Sequence, residues 1–183
     1  MENYYAPDLD RNFATLGGPI SVTLVRRIKA RPSIVFEALS TVEGLTSWWG
    51  PHDFPVLSAE ADVRVGGVFR VKFRSADGAH HVCAGEFLEI KSPERIVMSW
   101  QWISGGEPEE KEAVSRLELH LRPIDIGTEL TLTHAALQNE ISQQSHERGW
   151  EGALDKLLRS FEAKGGIAAA AKSGPMAQDS TSN

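Results

Sequence analysis

Cysteine is almost absent from this chain. Cys83 is the only one among 183 residues, which rules out a disulfide within the chain and a metal site built from several cysteines. Such a composition suits a reducing compartment. The first ten residues, MENYYAPDLD, carry acids where a secretion signal has a basic region, and no apolar run approaches the roughly 18 residues that a membrane span needs. We therefore expect a cytoplasmic protein with no membrane contact.

Positive charge is also scarce. The chain has 19 basic against 25 acidic residues, a net charge of -6, and no long basic run. A nucleic acid backbone repels a chain of this charge unless the charge is unevenly distributed. Nucleic acid is therefore not an expected partner.

Known catalytic motifs are missing as well. The sequence contains no GxSxG, P-loop, GxGxxG or HExxH pattern, and His146-Glu147 lacks the second histidine of a zinc helix. Cys83 lies in a predicted strand without a neighbouring base, so a buried, inert thiol is its expected role. The run EPEEKE at 107–112 reads as a solvated hairpin tip. We predict no catalytic residue, no metal and no cofactor.

The two ends of the chain differ from its middle. Residues 1–18 carry irregularly spaced aromatics and are predicted to form an N-terminal arm, free or docked. Residues 165–183 are rich in Ala, Ser and Gly without an apolar period, which predicts a disordered tail. The length of the remaining segment, 19–164, suits one domain.

The middle of the chain shows clear periodicity. Alternating apolar residues over 21–28 predict a first strand, and Pro32 opens a short helix that a second helical turn follows. Turn pairs such as Gly66-Gly67 and Asp77-Gly78 then divide about a hundred residues into antiparallel hairpins. Apolar residues at three- and four-residue steps from Trp150 to Phe161 predict a long amphipathic helix. The fold class is α+β, with the helix lying across the apolar face of the sheet.

Five stretches carry a family resemblance: WWGPHDF (48–54), DVRVGGVFR (62–70), GEFLEIKSPERIVMSWQW (85–102), GTELTLTH (127–134) and HERGWEGALDKL (146–157). In this order they resemble the START-like (SRPBCC) superfamily, in the branch related to the C-terminal domain of the activator of heat-shock protein 90 ATPase. The resemblance implies a helix-grip fold, in which a curved antiparallel sheet of about six to seven strands wraps a long C-terminal helix. It also implies a cavity between sheet and helix, often occupied by an apolar small molecule.

Two adjacent tryptophans, Trp48 and Trp49, precede the Gly50-Pro51 turn. They are expected to cap the cavity, with at least one ring serving only the core. His134 is in phase with the apolar residues of its strand, so it either orients a ligand or, as we favour, satisfies a structural hydrogen bond. Glu86 is in phase with Leu88 and Ile90, which makes it a candidate inward carboxylate.

The leading hypothesis is a protein that binds a small apolar or amphipathic molecule without a cofactor. The alternatives are an enzyme of the polyketide cyclase or hydratase kind, using the same cavity, and a chaperone-associated domain resembling the ATPase activator. A homodimer is left open. The predicted ligand-binding residues are Trp48, Trp49, Phe69, Glu86, Trp100, Trp102, His134, Trp150 and Leu154.

Overall fold

The computed structural model describes residues 20–51, 54–75 and 78–172, with side chains up to residue 163 apart from residue 109. The predicted N-terminal arm lies outside the described residues. In chain order the elements are β1 (Val22–Ile28), α1 (Pro32–Ser40), α2 (Val42–Trp48), β2 (Val56–Ala61), β3 (Val68–Arg74), β4 (His80–Lys91), β5 (Arg95–Ser104), a 3₁₀ turn (Pro108–Glu110), β6 (Ser115–Ile124), β7 (Gly127–Ala135) and α3 (Glu140–Lys172).

The strands form one antiparallel sheet in the order β1-β7-β6-β5-β4-β3-β2. The sheet is open, with β1 and β2 at its edges. The apolar side of α3, including Trp150, Leu154 and Leu157, belongs to the same buried cluster as the inward side chains of the strands. The predicted α+β helix-grip fold is therefore confirmed.

Two short helices bring the tryptophan pair to one end of the sheet. Pro32 begins α1, as predicted, and the Thr41 hydroxyl caps α2 by accepting a hydrogen bond from the Gly44 N–H at 3.1 Å. A Cβ atom at Gly44 would lie 2.2 Å from the carbonyl oxygen of Ala38. Glycine at this position thus permits the close approach of α1 and α2 that directs Trp48 into the core.

The long helix extends further than the sequence analysis predicted. α3 continues to Lys172, whereas we expected disorder from residue 165 onward. The run of four alanines from Ala168 to Ala171 has the highest intrinsic helix propensity and continues the helix past Gly165-Gly166. The rest of the predicted tail lies outside the described residues. Within the described part of the chain, no helix combines the length and hydrophobicity of a membrane span.

Candidate functional site

A pocket of about 390 Å³ opens at the end of the sheet that carries β3, β4 and β5. The strands form one wall, the first half of α3 forms the opposite wall, and two loops form the rim. Seven of its lining side chains are aromatic or histidine rings. The lining comprises Trp49, Gly50, Pro51, Phe73, Ser75, His81, Trp100, Trp102, Gly106, Glu107, Ser145, His146, Arg148, Gly149, Trp150 and Ala153.

The two adjacent tryptophans have different environments. Trp48 is fully buried, and its indole N–H donates to the carbonyl oxygen of Ala38 at 3.1 Å; it does not line the pocket. The ring of Trp49 packs against that of Trp150 at 5.3 Å and forms part of the pocket wall. One tryptophan of the pair thus anchors the loop to the core, while the other lies at the pocket.

The loop after Trp49 is held against α3 by a lysine. Lys156 Nζ donates hydrogen bonds to the carbonyl oxygens of Trp49, at 2.6 Å, and of Phe54, at 3.2 Å. Gly50 and Pro51, between these two anchors, form part of the pocket rim. Lys156 is therefore a positioning residue for the rim.

The aromatic wall predicted on β5 is present. Trp100 and Trp102 meet edge to face at 4.7 Å, and both line the pocket. Neither indole N–H has a partner at hydrogen-bond geometry, although both nitrogen atoms are buried; Trp100 makes only a weak contribution to the Cys83 thiol, the smallest of those that lower the pKa of that thiol. Native proteins rarely leave buried donors unpaired, and each such donor costs about 1–3 kcal/mol.

Two histidines, His81 on the strand wall and His146 on the helix wall, add further unpaired nitrogen atoms. Among the described residues, five buried side-chain nitrogen atoms lack a partner, and four of them belong to residues that line this pocket. These four atoms are His81 Nδ1, Trp100 Nε1, Trp102 Nε1 and His146 Nε2. Unused hydrogen-bonding capacity is thus concentrated in the side chains around the pocket, while the four nitrogen atoms themselves are closed to solvent.

His81 stacks on Phe73, with ring centroids 5.5 Å apart, and its Nε2 lies 2.9 Å from the Ser75 hydroxyl. Two glycines pack closely against the nitrogen-bearing edges of the His81 and Trp102 rings. A Cβ atom at Gly105 would lie 2.0 Å from His81 Nδ1, and one at Gly106 would lie 2.2 Å from the Trp102 ring. Both glycines have positive φ angles, so side chains are excluded here by both strain and space.

His146 is held by a buried carboxylate. Its Nδ1 lies 2.9 Å from the Ser142 carbonyl oxygen and 3.1 Å from Glu110 Oε1. Both atoms are acceptors, so Nδ1 carries the proton and Nε2 has a free lone pair. Burial lowers the pKa of His146, although Glu110 and the Ser142 carbonyl oppose this shift. The imidazole is therefore neutral at pH 7.

Glu110 is almost fully buried, at 5 % exposure, and its carboxylate is fully engaged. Oε2 accepts the Glu107 backbone N–H at 2.9 Å, and Oε1 accepts the Ser142 hydroxyl. The prediction that residues 107–112 form only a solvated tip was thus wrong for Glu110. The 3₁₀ turn folds this side chain back under the loop.

His134 sits behind the pocket wall, and both of its ring nitrogens are used. Trp150 Nε1 donates to His134 Nδ1 at 2.9 Å, so Nε2 carries the proton and donates to the Ser115 hydroxyl at 2.7 Å. That hydroxyl donates to the Trp100 carbonyl oxygen at 3.1 Å. Burial and the neighbouring His146 hold the pKa of His134 well below its usual value. This arrangement supports the structural role.

The inward orientation predicted for Glu86 was wrong. A β-bulge between Phe87 and Glu89 changes which residues face inward. Cys83 and Phe87 are almost completely buried on the inward face, whereas Glu86 pairs with the exposed Val68 on the outer side. Counting alternate residues back from Ile90 therefore placed Glu86 on the wrong face.

The remaining predicted residues divide between wall and core. Phe69 and Leu154 are buried in the core and do not line the pocket, while Trp150 does. Burial raises the pKa of the Cys83 thiol to about 12, so the thiol stays protonated. Within the described ranges, no group of three or more potential ligands could hold a metal ion.

Sequence reasoning missed several residues at the pocket. His81 and Phe73 could have been found by strand alternation, since both share the inward face with buried neighbours. The spacing of Ser142 and His146, one helical turn apart, was visible. No local signal joins them to Glu110, because that contact bridges 32 residues.

The open antiparallel sheet packs around a long helix, with a pocket lined by aromatic and histidine rings between them. This architecture places the protein in the helix-grip class. The family model described as "Activator of Hsp90 ATPase homolog 1-like protein" matches residues 29–162. The chain belongs to this family. A comparison with proteins of curated function found no significant relative.

Solved structures agree with the fold. A protein from Chromobacterium violaceum is 25 % identical with a TM-score of 0.68, covering 78 % of this chain and 97 % of that one. The AHSA1 protein from Silicibacter pomeroyi is 24 % identical with a TM-score of 0.68, covering 79 % and 99 %. A protein from Mycobacterium smegmatis is 17 % identical with a TM-score of 0.67, covering 79 % and 90 %.

Proposed function

We propose that this protein binds a small, flat, amphipathic molecule in the pocket between the sheet and α3. The volume of about 390 Å³ lies in the lower part of the range typical for small-molecule sites. The walls are mainly aromatic rings, which favour stacking with a flat ligand. The ligand therefore has about the size of a bicyclic aromatic compound.

One observation carries the proposal: four of the five unpaired buried nitrogen atoms in the described residues belong to side chains that line this pocket. The indole N–H groups of Trp100 and Trp102 can only donate, so they favour a ligand with a carbonyl, carboxylate or hydroxyl oxygen. A ligand that accepts these hydrogen bonds removes a cost that the empty protein carries. A purely apolar ligand leaves that cost in place.

The test compares two ligands that differ only in the acceptor. 2-Tetralone and tetralin share a bicyclic skeleton, but only the ketone has an oxygen. Quenching of indole fluorescence should show that 2-tetralone binds at least about tenfold more tightly, the equivalent of one hydrogen bond of about 1.4 kcal/mol. Each ligand is also tested against Trp102→Phe, which keeps an aromatic ring and removes the donor.

Two results would contradict the proposal. One is equal affinity for the two compounds. The other is the absence of quenching and of any rise in Tm across a panel of bicyclic ketones, phenols and carboxylates, since a ligand at one hundred times its Kd should stabilise the fold by about 2.7 kcal/mol. The chaperone-associated role is tested separately, by stimulation of a chaperone's ATPase.

A further inference from the structure

We propose that Gly149 determines the size of the ligand that the pocket accepts. A flat ligand with two fused rings lies against the backbone of α3 at Gly149 and takes the space that a side chain at this position would fill. This inference rests on the proposed binding function and identifies the residue that selects for a second ring.

The first support is the position of Gly149 on α3. His146 precedes it by three residues, Ala153 follows it by four, and all three residues line the pocket. Residues at these spacings share one side of a helix, so Gly149 lies in the middle of the helix wall. A side chain at this position would therefore start in the pocket.

The second support is the open space beside this residue. Apart from the chain neighbours and the backbone of the same helix, a Cβ atom at Gly149 would meet no heavy atom of the described residues within 4 Å. The pocket of about 390 Å³ thus reaches the helix backbone at this point. A ligand can make van der Waals contact there with the Cα atom and the peptide groups.

The third support is a contrast among the glycines at the pocket. Among the described residues, the pocket is lined by three glycines. Gly50 and Gly106 have φ angles of 79° and 80°, and a Cβ atom at these positions would lie 3.2 Å from the Phe73 ring and 2.2 Å from the Trp102 ring, respectively. The fold therefore requires glycine at both. Gly149 has neither a positive φ angle nor a close neighbour, so the fold does not require glycine there.

Glycine at position 149 also lowers the stability of the free protein. Gly149 lies well inside α3, which extends from Glu140 to Lys172. Glycine in a helix interior is less favourable than alanine, because its backbone loses more conformational freedom on folding. A position that weakens the helix, has room for a side chain and faces a pocket is explained if a ligand takes that room.

The opposite wall makes the helix side decisive for ligand size. The strands contribute large rings to the pocket, including those of Phe73 and Trp102, and Trp102 is fixed in turn by its edge-to-face contact with Trp100. Such a wall does not retreat easily from a larger ligand. Each carbon atom added at residue 149 therefore narrows the gap between the two walls.

The experiment compares Gly149→Ala and Gly149→Leu with the wild type, using 2-tetralone and acetophenone as ligands. Both compounds are aromatic ketones, but acetophenone lacks the second ring. Gly149→Ala should weaken binding of 2-tetralone at least about tenfold, and Gly149→Leu at least about 100-fold. Acetophenone should bind all three proteins with nearly equal affinity. Quenching of indole fluorescence measures the tighter complexes, and ligand-observed NMR measures the weaker ones.

Stability and direct contact provide two further measurements. Gly149→Ala should raise the Tm of the free protein by about 1–4 °C, because alanine favours the helix. Gln144→Ala is the matched control, since Gln144 is exposed on the same helix; its affinity for both ligands should equal that of the wild type. In the wild type, 2-tetralone should show an intermolecular NOE to the Hα protons of Gly149.

The outcomes separate the two proposals. If both Gly149 variants bind 2-tetralone as tightly as the wild type, or if they lose both ligands in parallel, this inference is overturned and the binding function remains. A lower Tm for Gly149→Ala also overturns it, because the space beside Gly149 is then not open. Failure to bind any member of the bicyclic panel overturns the binding function and this inference with it. Selective loss of 2-tetralone by a more stable variant supports both.

Discussion

The two halves of the sheet face the same helix but are built differently. The half formed by β6 and β7 contributes leucines at 1 % exposure or less, and these are Leu117, Leu119, Leu121, Leu130 and Leu132. The half formed by β3, β4 and β5 contributes rigid rings, and the space between these rings and α3 forms the pocket. Flexible aliphatic side chains fill the space under the helix, whereas the rings form walls and retain polar edges.

Two histidines mark the boundary between these halves. The rings of His134 and His146 meet edge to face at 4.5 Å. Both nitrogens of His134 are hydrogen-bonded within the protein, while one nitrogen of His146 has no partner. The first histidine belongs to the packed half, and the second to the pocket. Substitutions in each half test this division.

The largest effect is expected in the packed half. Leu132 is completely buried in β7, so Leu132→Ala should lower the free energy of unfolding by about 2–5 kcal/mol through lost burial and a residual cavity. Urea denaturation measures this loss. Affinity for 2-tetralone in the folded fraction should not change, and a large fall in affinity would show that the two halves are not separate.

His134→Ala should have the next largest effect on stability. The substitution leaves Trp150 Nε1 and the Ser115 hydroxyl without their partner and creates a void, at a cost of about 2–4 kcal/mol. Urea denaturation at pH 7 again provides the measurement. A variant that loses under 1 kcal/mol while losing most of its ligand affinity would move His134 from the packed half to the pocket.

Acid should destabilise the fold through both histidines. Burial holds the pKa of each below the ordinary value of about 6.5, so the unfolded chain binds more protons as pH falls below that value. The free energy of unfolding should therefore have its full value above about pH 6.5. Below that pH it should fall by up to about 1.4 kcal/mol per pH unit for each histidine. Denaturation curves at pH 7 and 5.5 should show a smaller loss in His146→Asn than in His120→Asn, the matched control, because His120 is exposed on the outer side of β6.

The smallest effect on stability is expected in the pocket half. Trp102→Phe removes an unpaired buried donor. The free energy of unfolding should therefore fall by no more than about 0.5 kcal/mol, or rise. Affinity for 2-tetralone should nevertheless fall about tenfold. Paired denaturation and titration data decide this. A strongly destabilised variant with unchanged affinity would make Trp102 a packing residue.

The sequence was sufficient to predict the sheet and the helix that crosses it. The alternation around Leu119 and the three- and four-residue spacing around Leu154 are local patterns, and both side chains are fully buried as expected. The aromatic wall was also predictable, because Trp100 and Trp102 share one face of β5. Helix propensity alone could have extended α3 through the alanine run.

Other parts of the site depend on features that no local pattern carries. Glu86 was misplaced because a bulge shifted the alternation of β4. Glu110 lies in an acidic run that normally faces solvent, and its burial depends on partners such as His146 that are distant in sequence. The unpaired state of the indole N–H groups is a property of the packed fold, so only the structure could show it.

If a ligand occupies the pocket as proposed, the indole N–H groups of Trp100 and Trp102 donate hydrogen bonds to it. The most direct measurement follows the side-chain N–H signals of the tryptophans by ¹⁵N NMR while 2-tetralone is added, with assignments from single Trp→Phe variants. We expect downfield shifts for Trp100 or Trp102 and an unchanged signal for Trp48, whose N–H already donates to Ala38. Saturating binding that leaves both Trp100 and Trp102 signals unmoved would contradict it.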